Sequence, residues 1–213
     1  MEVLDRVHKF WNVKYKDLLN EELIVRPVKY SEHGEEDIIK CVFPPHPFLG
    51  GYFVDVGAHS SNSSNTWLLA EEGWHGIMIE ASDIQYPELR DKWEDSTNIT
   101  VVHEYVTPTS LEKILKHYKV NKDFDFLSID VDSFEYEIWR NLKNYQPKLV
   151  CIEFNQFELD PKVINYDPSF SLNGREGYGG ASLGLLNKLA KEKGYDYLCQ
   201  DVSNAFYIRR DDA

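Results

Sequence analysis

Two acidic pairs carry most of the chemistry open to this sequence. Asp130 and Asp132 follow an apolar run in "FLSIDVDS", and Glu153 and Asn155 follow another in "KLVCIEFN". Carboxylates grouped in this way can take the proton of a hydroxyl, or hold Mg²⁺ or Mn²⁺ through oxygen ligands that orient a hydroxyl and lower its pKa. Asp130, Asp132 and Glu153 are therefore the candidate catalytic groups. Asp130, Glu153 and Asn155 are the candidate metal ligands. The plain structural reading is a set of acids stabilised by neighbouring helix N-termini.

A second constellation lies upstream in "YFVDVGAHSSNSSNTW", where an apolar run closes on Asp55, turns at Gly57 and passes through small polar residues into a helical pattern. Glycine at such a turn lets a ligand approach the backbone closely. Glu80 closes the next apolar run, 25 residues after Asp55, where nucleotide-binding sheets place an acid on the ribose hydroxyls. The dinucleotide fingerprint G-x-G-x-x-G is absent, because Gly57 is followed by Ala58, His59, Ser60 and Ser61. A pyrophosphate needs that second close approach. S-adenosylmethionine has none, and a single-glycine loop lined by Ser and Asn suits it better than NAD.

These groups require a scaffold that brings strand ends together. The sequence alternates short apolar runs rich in β-branched and aromatic residues with amphipathic stretches: "YFVDVG", "GIMIE", "ITVVHEYV", "FDFLSIDV" and "KLVCIEF" read as strands, and "SNTWLLAEEG", "YPELRDKWED", "TSLEKILKHY", "SFEYEIWRNLK" and "GASLGLLNKLAKEKG" as helices. Thr109 or Ser110 is a plausible cap for the third helix. "YDYLCQ" and "NAFYIRR" read as a terminal antiparallel pair. Uniformly apolar strands each followed by a helix predict an α/β, doubly wound, mostly parallel sheet covered on both faces. Ligands bind such sheets at the carboxyl ends of the strands, where Asp55, Glu80, His103 to Tyr105, Asp130 with Asp132, and Glu153 with Asn155 fall.

Bulk properties set the class. A length of 213 residues suits a single domain, 1–213. An apolar fraction of 42% is globular, and no run approaches the ~18 residues that span a bilayer. The net charge of −13, with no basic cluster among aromatics, argues against nucleic acid as a partner. Membrane binding is not expected either. The N-terminus lacks the pattern of a secretory signal, and Cys41, Cys151 and Cys199 are odd in number and set in apolar contexts, so a cytoplasmic location without disulfides is expected. Residues 1–40 read as a helical brace in which Phe10, Trp11, Leu18, Leu19 and Leu23 cover the sheet. Residues 155–180 form a long aperiodic stretch with Tyr166, Phe170 and Tyr178, expected to shape a ligand site and to order around ligand.

In "SEHGEEDII" (31–39), "YFVDVGAHSSNSSNTWLLAEEGWHGIMIEAS" (52–82), "FDFLSIDVDSFEYEIWRNL" (124–142), "PKLVCIEFN" (147–155) and "GYGGASLGLLNKLAKEKGY" (177–195) the chain resembles the FkbM-like S-adenosylmethionine-dependent methyltransferases. The resemblance implies a class I, Rossmann-like methyltransferase sheet of seven strands with the last antiparallel. It also implies a cofactor whose methionine lies over Gly57 and Ala58 and whose ribose lies on Glu80. The candidate cofactor contacts are Asp55, Gly57, Ala58, His59, Asn65, Thr66, Glu80, Ala81, Ser82, Tyr105 and Asp130.

The implied activity is O-methylation of a hydroxyl on a sugar or other small molecule, with S-adenosylmethionine as cofactor and a divalent cation as a possible second. The chain departs from the family in carrying His59-Ser60-Ser61 where Asn-x-Gly is usual, and Ser133 where Gly is usual. Two alternatives stand beside this one. A strand ending Asp-x-Asp also serves metal-dependent glycosyltransferases, and the chain could be an inactive nucleoside-binding module. His33, His59 and His103 are alternative bases, since imidazole titrates near neutrality, although a structural role suits each.

Overall fold

A computed structural model describes residues 34–43, 50–60, 64–132, 134–156 and 180–213, together with Val3, Asp5, Val7 and Ser31. The elements run α1 (Glu35–Val42), β1 (Tyr52–Val56), α2 (Trp67–Glu71), β2 (His75–Glu80), α3 (Gln85–Trp93), β3 (Ile99–His103), α4 (Leu111–His117), β4 (Phe126–Ile129), α5 (Glu135–Asn141), β5 (Leu149–Glu153), α6 (Leu183–Lys193), β6 (Tyr195–Gln200) and β7 (Asn204–Arg209). One sheet holds all seven strands in the order β3-β2-β1-β4-β5-β7-β6. β1 to β5 are mutually parallel, and β7 runs antiparallel to both its neighbours.

The strands sort their side chains by the two-residue period of the pleat. Val54, Val56, Ile77, Ile79, Leu127, Ile129, Val150 and Ile152 face α4, α5 and α6 through Leu115, Ile138, Trp139, Leu186 and Leu189. Phe53, Met78, Phe126, Cys151 and Phe206 face α1, α2 and α3 through Ile38, Ile39, Leu69 and Leu89, with Val7 buried among them. The helices change faces once along the chain, after β3. The winding therefore reverses between β1 and β4, and the crevice a doubly wound sheet offers to ligands opens there.

The helices are short and owe their stability to packing. α2 spans five residues rather than the ten-residue pattern of the sequence, because Glu72 and Gly73 already close it by bonding to Leu68 and Ala70. α6 is the best delimited: Ser182 Oγ accepts from Leu185 N at 3.3 Å, and Gly194 closes it at φ 85°. Ser110 precedes α4 without a side-chain cap to that helix. Phe10, Trp11, Leu18, Leu19 and Leu23 of the expected brace lie outside the described residues, as do 157–179 of the expected site loop and His33. Among the described residues no helix is long and apolar enough to cross a membrane.

Candidate active site

The carboxyl ends of the parallel strands open onto a cavity of about 590 Å³. Val56 and Gly57 reach it from β1, Ile79 to Ser82 from β2, Glu104 to Val106 from the turn after β3, Asp130 to Asp132 from β4 and Glu153 from β5. Glu35 enters from α1 and Asn204 from the start of β7. Of the expected site residues, Gly57, His59, Asn65, Glu80, Ala81, Ser82, Tyr105, Asp130, Asp132 and Glu153 line this space. Asp55, Ala58, Thr66 and Asn155 do not.

The turn after β1 is stitched to β2. Gly57 N and Ala58 N both donate to Ile79 O, at 2.9 and 3.1 Å, so these amides do not face a ligand as the sequence suggests. Ala58 is fully buried among the apolar side chains of the α1–α3 face. Gly57 stands at φ +84°, and a Cβ there would lie 1.7 Å from Asp130 O. Only glycine lets the turn pass against the end of β4. His59 follows at φ 51°, a left-handed conformation in which histidine, like asparagine, is enriched among non-glycine residues.

Glu80 is the pin of this turn. Its Oε2 accepts from His59 N at 2.9 Å and its Oε1 from Ser82 N at 2.7 Å. Each carboxylate oxygen keeps a second acceptor site, so Glu80 can meet ribose hydroxyls while holding both loops. Replacement by Gln exchanges one acceptor for a donor that faces an amide. Glu80→Gln is expected to weaken S-adenosylmethionine binding by about 1.5–3 kcal/mol, the range for hydrogen bonds to a charged group. Isothermal calorimetry on both proteins measures it, and equal affinities would remove Glu80 from the cofactor site.

Asp55 lies beneath the cavity. Its side chain points to the face opposite Val54 and Val56, is 2% exposed, and accepts from Thr66 Oγ1 at 2.6 Å and Ser64 Oγ at 3.4 Å. Burial pushes its carboxyl up to about 6; hydrogen bonds from Thr66 and Ser128 act against that, and the Glu80 charge adds to it. Asp55 and Thr66 thus brace the loop rather than touch a ligand. Because the folded value lies above the ordinary 3.8, the group favours the fold most below pH 3.8, and this contribution is lost as pH rises through about 6.

Ile129 pairs with Ile152, so Asp130 and Glu153, the next residue on each strand, stand side by side. Burial, then the charges of Asp130, Glu135 and Asp132, push the Glu153 carboxyl far above the usual range, and a hydrogen bond with Asp130 adds to the shift. The protonated form of Glu153 is therefore the favoured one beside the Asp130 carboxylate. Sequence reading passed over Glu135. It is fully buried at the start of α5 and accepts from Val131 N at 3.1 Å, fixing the turn after β4. It also missed Glu35, which is 1% exposed and accepts from Asn204 Nδ2 at 3.0 Å. The "SEHGEE" stretch was the available signal, since an acid there has no reason to be buried unless it faces something polar.

The expected divalent-cation site at Asp130, Glu153 and Asn155 is not supported. Among the described residues no three His, Cys, Asp or Glu are grouped so as to hold a metal ion. Asn155 is held from its backbone, its N–H donating to Ala181 O at 2.9 Å, and it stands outside the cavity lining. His103 turns aside, stacked on Tyr86 with centroids 4.2 Å apart and 3.4 Å from Asp83.

A family model, the methyltransferase FkbM domain, matches residues 90–197, just over half of the 213. The chain belongs to the FkbM methyltransferase family. The matched residues run from the end of α3 into β6 and include Asp130, Glu135 and Glu153, whereas the glycine turn with His59-Ser60-Ser61 precedes them.

Solved structures share the fold. A S-adenosylmethionine-dependent methyltransferase from Clostridium acetobutylicum ATCC 824 is 14% identical over 94% of this chain and 96% of its own, with a TM-score of 0.52. A TehB-like SAM-dependent methyltransferase from Corynebacterium glutamicum ATCC 13032 Kitasato is 12% identical over 94% and 97%, with a TM-score of 0.50. No curated protein sequence is significantly similar to the chain.

The cavity suits the cofactor of an FkbM methyltransferase. Among its described lining residues are six acidic side chains, those of Glu35, Glu80, Glu104, Asp130, Asp132 and Glu153, and no lysine or arginine. S-adenosylmethionine carries a sulfonium and an ammonium, so this field attracts it. The family assignment sets the glycosyltransferase alternative aside.

Proposed function

We propose that the protein is an S-adenosylmethionine-dependent O-methyltransferase acting on a hydroxyl of a small, sugar-like molecule. The supporting observation is the Asp130–Glu153 pair, a carboxylate and a carboxylic acid in contact on adjacent strand ends beside the Gly57 turn. When bound, S-adenosylmethionine supplies a methyl group on a positively charged sulfur. Methyl transfer then needs an aligned acceptor and a place for its proton.

In this reading Glu80 and the Gly57 turn would hold the cofactor at the carboxyl ends of β1 and β2. Asp130 would take the proton of the acceptor hydroxyl. Glu153 keeps its own proton and orients Asp130 by a hydrogen bond. Asp132, held at φ 61°, adds negative charge beside the sulfonium. Residues 157–179 are expected to select among acceptors.

Incubation with S-adenosylmethionine and a panel of sugars, nucleotides and phenols tests the reading. Release of S-adenosylhomocysteine with an O-methylated product, undiminished by EDTA, is the expected result. A product methylated on nitrogen or carbon would replace the O-methylation reading, and tight cofactor binding without any turnover would favour a binding module.

A further inference from the structure

The cavity extends beyond the part a cofactor held at Glu80 can fill. Glu80 closes β2, whereas Asn204 opens β7, four strands away in the sheet, or about 19 Å at the usual strand spacing. A group held at Glu80 leaves the stretch above β5 and β7, where Asn204 pairs with Glu153, open to a second molecule.

The chemistry of that wall is specific. Asn204 is 3% exposed; its Nδ2 donates to Glu35 Oε1 at 3.0 Å and to Ser203 Oγ at 3.3 Å. The bond to a carboxylate fixes which end of the amide is nitrogen. Oδ1 is buried and accepts no hydrogen bond from any described residue. An unmet buried acceptor is costly, by the full desolvation of the group. Beside it Glu35 contributes a second, charged acceptor from the same wall, and no described lining residue is a lysine or arginine. Two acceptors, with no lysine or arginine among the described lining residues, make a site for a donor that carries positive charge.

We propose that Glu35 and Asn204 form an ammonium subsite, so that the acceptor is a hydroxyl compound bearing a protonated amine, of the amino-sugar or amino-alcohol class. This rests on the O-methyltransferase reading for the reaction and on the Glu35–Asn204 wall for recognition. The ammonium would donate to Asn204 Oδ1 and to Glu35 while the hydroxyl lies at Asp130. A phosphorylated or carboxylated acceptor would meet this acidic lining and be repelled.

Binding to the protein loaded with S-adenosylhomocysteine tests the subsite apart from turnover. The probes are glucosamine, ethanolamine and 2-amino-1-phenylethanol, each against its N-acetylated counterpart, with glucose 6-phosphate as the anionic control. Wild type is expected to bind at least one amine about tenfold or more tightly than its acetylated partner, and to leave glucose 6-phosphate unbound. Glu35→Gln should erase that preference while S-adenosylmethionine affinity changes less than about threefold.

Equal binding within all three pairs would overturn the proposal without needing a variant. So would a Glu35→Gln protein that loses cofactor and keeps the amine preference, since the wall would then serve the cofactor's own ammonium. Amine preference without methylated product would uphold the subsite and overturn the O-methylation reading; methylation indifferent to the amine would do the reverse.

Discussion

Asp130→Asn is expected to lower kcat by about 10²–10⁴-fold, the usual contribution of a positioned general base, while S-adenosylmethionine affinity changes by no more than about 1 kcal/mol. The amide keeps the size of the side chain and removes its capacity to take a proton. Glu153→Gln should behave differently, because an amide, like a protonated carboxyl, still donates toward Asp130. Its kcat should fall by about tenfold or less.

The two variants also separate by pH. The Glu153 carboxyl is raised by burial and by the charges of Asp130, Glu135 and Asp132, so wild-type activity should decline on the alkaline side as that proton leaves and Asp130 loses its partner. Glu153→Gln carries no such proton, and its alkaline limb should disappear. The sign for stability is the same: a carboxyl raised in the fold supports the fold while protonated and loses that support as pH rises through its folded value. Glu153→Gln should therefore gain on wild type in alkaline unfolding experiments. Equal kcat in wild type and Asp130→Asn, with a confirmed hydroxyl acceptor, would move the base elsewhere.

What the sequence made legible follows from the period of its strands. "YFVDV", "HGIMIE" and "LVCIE" are apolar on both faces, which identifies a covered parallel sheet and so places their terminal acids on one edge. Glu80, Asp130 and Glu153 were readable for that reason. Asp55 closes a strand too, but its alternation turns it beneath the loop toward Thr66 and Ser64, and no feature of strand-end position distinguishes the two outcomes.

The acceptor wall was less legible because its members are distant in sequence. Glu35 and Asn204 are 169 residues apart and meet only because β7 inserts between β5 and β6. A carboxylate trio with Asn155 resembled a metal site on the page. The backbone bond of Asn155 to Ala181 and the burial of Glu153 among other acids are tertiary features, invisible to spacing. The backbone at His59 follows the same kind of rule: the turn is left-handed there, and histidine adopts that conformation more readily than most.

Gly57→Ala should be the most damaging single-methyl change in the chain. Alanine at φ +84° costs about 1–2 kcal/mol in the left-handed region, and its Cβ would fall 1.7 Å from the carbonyl oxygen of Asp130, inside any allowed contact. Backbone must move, since that carbonyl belongs to the residue directly after β4 and Asp130 N is itself held by Val56 O at 2.9 Å. Overpacking of this kind adds about 1–3 kcal/mol. The combined loss, about 2–5 kcal/mol, is a large part of the 5–15 kcal/mol typical of a domain.

Relief by shifting the turn would break the bonds from Gly57 N and Ala58 N to Ile79 O and carry His59 away from Glu80. It would displace Asp130 as well. Stability, cofactor affinity and turnover should therefore fall together, in contrast to Asp130→Asn, which should spare the first two. Urea unfolding with calorimetry on the same preparations measures both. A Gly57→Ala protein of wild-type stability that still binds S-adenosylmethionine normally would show that the turn does not press on β4.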